Sequence, residues 1–492
     1  METGSWVSLS LYFAAMVGIG FYALRRSSDD PEGYMLGGRN LPPAVAALSA
    51  VASDMSGWLL LGLPGALFVT GLVEAWIGIG LLIGAFINWI VVAPRLREQT
   101  ERYDNALTIP EFLANRFASR ATSLRIVSAI IIVLFFAVYT AAGLVAGGKL
   151  FSTVSDWGYQ SGVWLTLGIV LAYTVVGGFL AVCLTDFVQG VIMMLALLIM
   201  PAAVLFTGDG GGIAEVNATL TSIEGYSLSL WSDNMSLIVW LSLMAWGLGY
   251  FGQPHIIVRF MAVRSVADVA IARNIAMIWM GFSLLGAIGV GILGRAYVER
   301  SGIRLGDEET IFILLAETLF PAIITGLLFA ALMAAIMSTV SSQLLVSSSS
   351  LAEDFYRLFL NKTASDHRVV SVGRVAVVAV GVFAAVIASD PESEVLGLVS
   401  NAWAGFGAAF GPLMILSLTW SRMTGNGAVA GLVVGAATVI GWITLDWNSS
   451  FLGGPGVYEI IPGFLFAMAA IVVVSLASET QGEHRPLAES TI

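Results

Sequence analysis

Three short stretches of an otherwise apolar chain hold residue types that can do chemistry. The first is Ala52, Ser53, Asp54, Met55, Ser56, Gly57 and Trp58, which sets a carboxylate, two hydroxyls and a glycine inside an apolar run at 44–69. A charged side chain near the middle of a membrane helix costs roughly 2.5 to 3.5 kcal/mol on insertion scales, so it faces a partner, an ion or a water-filled cavity. The plainer alternative is a solvated loop, or a structural carboxylate bonded to a neighbouring helix. The second stretch is 246–255: Trp246, Gly247, Leu248, Gly249, Tyr250, Phe251, Gly252, Gln253, Pro254 and His255. Its glycines and proline disfavour a continuous helix, and backbone freed at membrane depth is tolerated only where protein or a cavity satisfies it. The third is Ala334, Ala335, Ile336, Met337, Ser338, Thr339, Val340, Ser341 and Ser342. A lone membrane hydroxyl usually bonds the previous turn of its own helix. Adjacent Ser338 and Thr339 beside a broken helix that exposes carbonyls would gather several neutral oxygens, a donor set that suits a small hard cation.

The elements that must position these stretches are membrane helices. With 58% hydrophobic residues, 11% charged residues and a mean hydropathy of +0.88 over 492 residues, the chain has well under the roughly 25% charge of soluble domains. It reads as an all-α polytopic membrane protein. Apolar runs long enough to span lie at 6–24, 44–69, 75–92, 126–146, 163–182, 187–206, 237–252, 275–292, 323–346, 370–387, 395–418, 428–445 and 460–476, about thirteen helices of roughly 20 residues each. The ninth is also compatible with a start near Phe312. The polar stretches at 98–120 and 209–234 read as loops, and the tail at 478–492 as disordered. A net charge of −11 spread over many loops points to no nucleic-acid partner. The single cysteine, Cys183, leaves no internal disulfide and reads as a buried, inert thiol. The first run lacks a basic flank and a small-residue cleavage pattern, so it is expected to stay as a helix.

The distribution of basic residues tests the order of the spans. With loops assigned alternately, one side receives eighteen of the 22 Lys and Arg, and the other only Lys149, Arg295, Arg300 and Arg304. Positive charge marks the cytoplasmic side, so the amino terminus is expected outside and the carboxy terminus in the cytoplasm. The breaks in the second and seventh spans lie five spans apart. That spacing implies two inverted five-helix repeats with broken first helices, at 44–207 and 235–418. One extra helix precedes them (1–43, with the first cytoplasmic loop), an external loop joins them (208–234), and two helices (419–477) and a cytoplasmic tail (478–492) follow. Paired interrupted helices of this kind point to a transport site near the bilayer midplane.

The run from Ala52 through Trp58 to Leu59, Leu60, Leu61, Gly62, Leu63, Pro64 and Gly65, taken with residues 250–257 and with Met337, Ser338 and Thr339, closely resembles the bacterial sodium/proline symporters of the sodium/solute symporter family. The match extends to about Ala477. It implies a sodium ion as coupling ion, with no organic cofactor, held by the carbonyls of Ala52, Met55 and Ala335 and the hydroxyls of Ser338 and Thr339. Asp54 would then lie beside the ion, and Asp186 on an inner ion path. For Asp186 a solvated carboxylate at a helix start is an equal alternative. Glu74 and Glu317 read as interfacial.

The resemblance implies L-proline as solute. Proline needs donors for its carboxylate, an acceptor for its secondary ammonium and a flat apolar wall. Free N–H groups near Ser56 and Gly57 suit the carboxylate. Tyr139, Trp246 and Tyr250 suit the ring and the cation, and with Pro254 they match the family's substrate positions. Against this stands the bland reading that most of the 14 Trp and 12 Tyr pack or line the interfaces. Expected throughout is inward symport by alternating access in the bacterial cytoplasmic membrane, with the lipid bilayer around the protein and no obligatory protein partner. Another amino acid, a sugar or a vitamin is the competing solute, and a proton the competing ion. A membrane hydrolase using His255 and Asp54 has neither a Gly-x-Ser-x-Gly nor a His-Glu-x-x-His motif behind it, and a sensor would need a signalling domain.

Overall fold

Proline and glycine mark where the apolar runs start, bend and stop. Proline lacks a donor N–H and so sits readily in a first helical turn, as Pro43 does in Pro43–Asp54, Pro254 in Pro254–Ala262 and Pro64 in Leu63–Thr70. Gly178 adopts φ 59, a conformation costly for any residue with a Cβ, and bends the long segment Tyr159–Phe206 into two helices. The computed structural model describes residues 1–25, 31–206, 212–232 and 235–478. These residues are mostly helical, with one two-stranded hairpin, Ser450–Phe451 with Gly454–Pro455. Ten helices among them are long and apolar enough to cross a membrane, or eleven when the pair Pro43–Asp54 and Trp58–Thr70, bent by 62°, is taken as one crossing. Large apolar side chains such as Phe282, Leu285, Val375, Phe383, Leu465 and Val473 face outward, as they do on a lipid-facing surface. The chain is a multi-pass membrane protein.

Two helices lie deepest: Ala322–Ser349, which packs against Thr3–Leu24, Ala121–Val154 and Tyr159–Phe206, and Val395–Thr419, which packs against Ala245–Gly252. Small residues let backbones meet, as is usual between membrane helices. A Cβ added at Gly84 would lie 2.1 Å from the carbonyl oxygen of Gly247, so the helix Ala75–Val91 and the tight turns of Ala245–Gly252 touch main chain to main chain.

Several sequence expectations need correction. The polar stretches at 98–120 and 209–234 are not plain loops: Ala93–Arg102, Ile109–Arg116 and Ile213–Thr221 are helical. Thr108 caps Ile109–Arg116 by accepting from the Glu111 N–H, and Arg97 turns inward to the carbonyl of Val263, so charge here serves docking between elements. The ninth run is preceded by a separate helix, Ile311–Leu319, and Pro321 ends the gap before Ala322–Ser349. Arg26, Arg485, the tail beyond Ser478 and, within the joining loop, residues 208–211 and 233–234 lie outside the described residues.

Candidate functional site

The site is built on the break after Asp54. Pro43–Asp54 ends at Met55 (φ −81, ψ 77), and the chain resumes at Gly57 into a wide helical turn, Trp58–Gly62. The Asp54 carbonyl, released from the helical ladder, accepts from the Trp58 indole N–H at 3.1 Å and from the Tyr139 hydroxyl at 3.2 Å. It also accepts from the Ser56 N–H at 2.9 Å, which corrects the expectation that this N–H is free for a ligand. Gly57 is wedged against the helix behind it: a Cβ there would stand 2.9 Å from Cβ of Ala146.

On one side of the break the expected cation oxygens converge. The Ser338 hydroxyl donates to the carbonyl of Ala52 at 2.7 Å and reaches that of Ala335 at 3.2 Å, and Thr339 bonds the Ala335 carbonyl at 3.2 Å. Ala52, Ala335 and Ser338 are fully buried, and Thr339 is nearly so. Met55 is buried at the break itself. Four of the five expected ligands thus meet between Pro43–Asp54 and Ala322–Ser349, and the lone pairs that now serve hydroxyl–carbonyl bonds are those a cation would take over. The converging oxygens are main-chain carbonyls and hydroxyls, so this donor set is neutral.

On the other side lies an aromatic box. The Tyr250 hydroxyl donates a short bond to Oδ2 of Asp54. Trp246 lies between Trp58, 6.3 Å between ring centroids, and Tyr458, stacked at 5.4 Å. Tyr139 meets His255 edge to face at 5.8 Å. Pro254 is displaced from this group and lines a small cavity with Met35, Thr108, Val258 and Ser349, toward the arginine-rich end of the molecule. Sequence reasoning missed the residues that support the box. The Trp403 indole N–H donates to the Trp246 carbonyl at 2.7 Å, Gln253 Nε2 to the Trp403 carbonyl at 3.1 Å and Asn88 Nδ2 to the Tyr250 carbonyl at 3.0 Å. An apolar run around Trp403 carries no sign of this. Asn88, a lone amide in an apolar span, was the available signal.

Asp186 is not a solvated carboxylate. It is fully buried and pairs with Arg259 at 3.2 Å while accepting from the Ser49 hydroxyl at 2.7 Å. Arg259 had counted as a loop residue, yet it is 1% exposed and also bonds Ser342 and Ser49. Two opposite charges within a membrane core are tolerated because each neutralises and hydrogen-bonds the other. At the opposite end, Lys149 pairs with Asp307 at 2.7 Å and Glu309 at 2.8 Å. Glu309 accepts from the N–H groups of Val395 and Leu396 at 2.9 and 3.0 Å. Glu74 is half-buried beside Thr70 and Glu317 is exposed. His255 packs edge-on against Phe136 and Tyr139, and Asp54 is bonded to Tyr250 instead, so these two do not form a catalytic pair.

Residues 34–435 match the sodium:solute symporter family. The chain is 51% identical to the high-affinity proline transporter PutP of Bacillus subtilis over 95% of this chain and 97% of that one. It is 48% identical to the sodium/proline symporter of Escherichia coli over 97% and 93%. In fold it is similar to a Na+-coupled sialic acid symporter in its substrate-bound outward-open state (TM-score 0.82, 19% identity, 97% of this chain and 98% of that chain). It is also similar to Mhp1, a nucleobase-cation-symport-1 family transporter (TM-score 0.55, 14% identity, 92% and 96%). The chain belongs to the sodium:solute symporter family, which places it among membrane transporters and not among enzymes.

Proposed function

We propose that this protein couples the inward flow of sodium to the uptake of L-proline. The observation that carries the reading is the convergence of the Ala52 and Ala335 carbonyls with the Ser338 and Thr339 hydroxyls on one side of a broken helix whose other side faces Trp58, Tyr139, Trp246 and Tyr250. The names of the relatives at 48 to 51% identity over nearly the whole chain support sodium and proline as the pair carried. Sodium takes the five oxygens of Ala52, Met55, Ala335, Ser338 and Thr339. Proline takes the box of Tyr139, Trp246 and Tyr250, its carboxylate toward Gly57 and the Ser56 turn and its exit past Pro254. Asp186 lies on the inner ion path.

The helices are thirteen: the ten long ones, the bent pair, the half of Tyr159–Phe206 before Gly178, and the broken pair Leu237–Gly252 with Pro254–Ala262. They form inverted repeats at 44–207 and 235–418 between the flanking segments 1–43 and 419–477, joined by the external loop 208–234. The arginine-rich end faces the cytoplasm of a bacterial cell, the amino terminus lies outside, and the carboxy-terminal tail 478–492 lies inside. Sodium binding ties Pro43–Asp54 to Ala322–Ser349 and so orders the adjoining box. Closure on the outer side and opening on the inner side then release both solutes. Each sodium entering gains about 2.3 kcal/mol per 100 mV of potential, which suffices to concentrate a neutral zwitterion. Uptake of radiolabelled proline into proteoliposomes is the test. Accumulation is expected only with an inward sodium gradient, and sodium-independent uptake, or competition only by other solutes, refutes the reading.

A further inference from the structure

We infer that the Asp54 carboxylate accepts the ammonium group of the substrate and is not a ligand of the sodium ion. This assignment rests on the proline reading above. Asp54 is fully buried, and among the described residues Oδ2 is held by the Tyr250 hydroxyl while Oδ1 has no hydrogen-bond partner. A buried carboxylate with a free oxygen carries an unmet demand for positive charge. Two cations come near it, the sodium ion and the ammonium of the zwitterion, and the geometry separates them. The sodium oxygens face Ala322–Ser349, from which Ser338 reaches the Ala52 carbonyl. The Asp54 side chain faces Ala245–Gly252, from which Tyr250 reaches it.

The main chain of Asp54 is fixed as well, since its carbonyl holds the Trp58 indole and the Tyr139 hydroxyl. With Oδ2 tied to the Tyr250 hydroxyl, the carboxylate is held on the Ala245–Gly252 side of the break, and Oδ1 is left for a ligand there. A secondary ammonium brings two N–H donors and full positive charge to that point: one N–H meets Oδ1, and the charge is shared with the aromatic faces. The site selects zwitterionic amino and imino acids. A carboxylic acid without the ammonium would leave Asp54 unpaired beside a second negative charge, and a sugar would leave it unpaired in a dry site.

The experiment uses the purified full-length protein in nanodiscs with radioactive sodium, radiolabelled proline, and tetrahydrofuran-2-carboxylate, which keeps the ring and carboxylate but has an ether oxygen in place of the ammonium. The wild type is expected to bind the ether analogue roughly 100-fold or more weakly than proline. Asp54→Asn is expected to hold its sodium affinity within about threefold and to lose roughly 30-fold or more in proline affinity at saturating sodium, narrowing the gap between the two ligands. Equal binding of proline and the analogue by the wild type overturns the assignment. So does an Asp54→Asn protein that loses sodium binding with its proline affinity intact. If the variant binds neither ligand, the wild-type comparison decides alone. A wild type that binds no proline at all refutes the transport reading itself, an outcome distinct from either of these.

Discussion

Ser338 bonds carbonyls from two different helices with one hydroxyl, so the residue that would ligate sodium is also the one that joins the helices. Removing it with its neighbour should act on the ion first. Ser338→Ala with Thr339→Ala is expected to raise the sodium concentration for half-maximal proline uptake roughly tenfold or more, each lost ligand costing on the order of 1 kcal/mol. Uptake as a function of external sodium measures this. The pair Arg259 and Asp186 makes a different prediction. Arg259→Met alone strands a buried carboxylate and should cost about 3 to 5 kcal/mol, whereas Arg259→Met with Asp186→Leu should regain most of it. Melting of the purified proteins in detergent separates the two cases. The hydroxyls were legible in the sequence because adjacent Ser338 and Thr339 stand out in an apolar span. Arg259 was not. Basic residues near span ends are read as loop charges, and only the fold brings Asp186, 73 positions away, within reach.

Breaks were the most legible feature at the scale of elements, because glycine and proline act locally. The interruptions at Met55 to Gly57 and at Gln253 fall where Ser56, Gly57 and Pro254 had placed them. Less legible was what holds the broken pieces. Trp403 and Asn88 act through main-chain carbonyls, a kind of contact that leaves no pattern in a sequence. The loop helices Ala93–Arg102 and Ile109–Arg116 hid behind their charge: Arg97, which turns inward to the Val263 carbonyl, and Arg116, which turns to the Tyr103 hydroxyl, look like solvent-facing arginines in a sequence. Glu309 adds a prediction here. It joins Lys149 to the first N–H groups of Val395–Thr419, and a carboxylate at a helix start is worth roughly 0.3 to 1 kcal/mol, up to about 2 when partly buried. Leu396 packs against Gly62 beneath it. In a Leu396→Cys protein, adding Glu309→Gln is expected to speed labelling by a membrane-impermeant maleimide about threefold or more, a factor set by that same loss. Native Cys183 is buried and serves as the internal control.

Across the whole molecule, composition alone led to a multi-pass membrane protein, since lipid demands an apolar exterior and helices that satisfy their own backbone. What composition leaves open is how charge is arranged inside. Arg259 and Asp186 cancel, and Asp307 and Glu309 share the cation of Lys149, whereas Asp54 is bonded to a hydroxyl and not to a cationic side chain. In its ionised form Asp54 would give the proposed transport site a negative charge of its own. A sodium ion brings it to zero and a zwitterion adds nothing, so the loaded carrier turns over with little electrical work. The membrane potential acts instead on the unloaded carrier, and an inside-negative voltage drives its negative site back outward with up to about 2.3 kcal/mol per 100 mV. Voltage steps applied without proline or sodium should therefore evoke transient currents, which Asp54→Asn should abolish. The carrier would be electrically pulled on its way home, and it would reload faster in a well-energised cell than in a depolarised one.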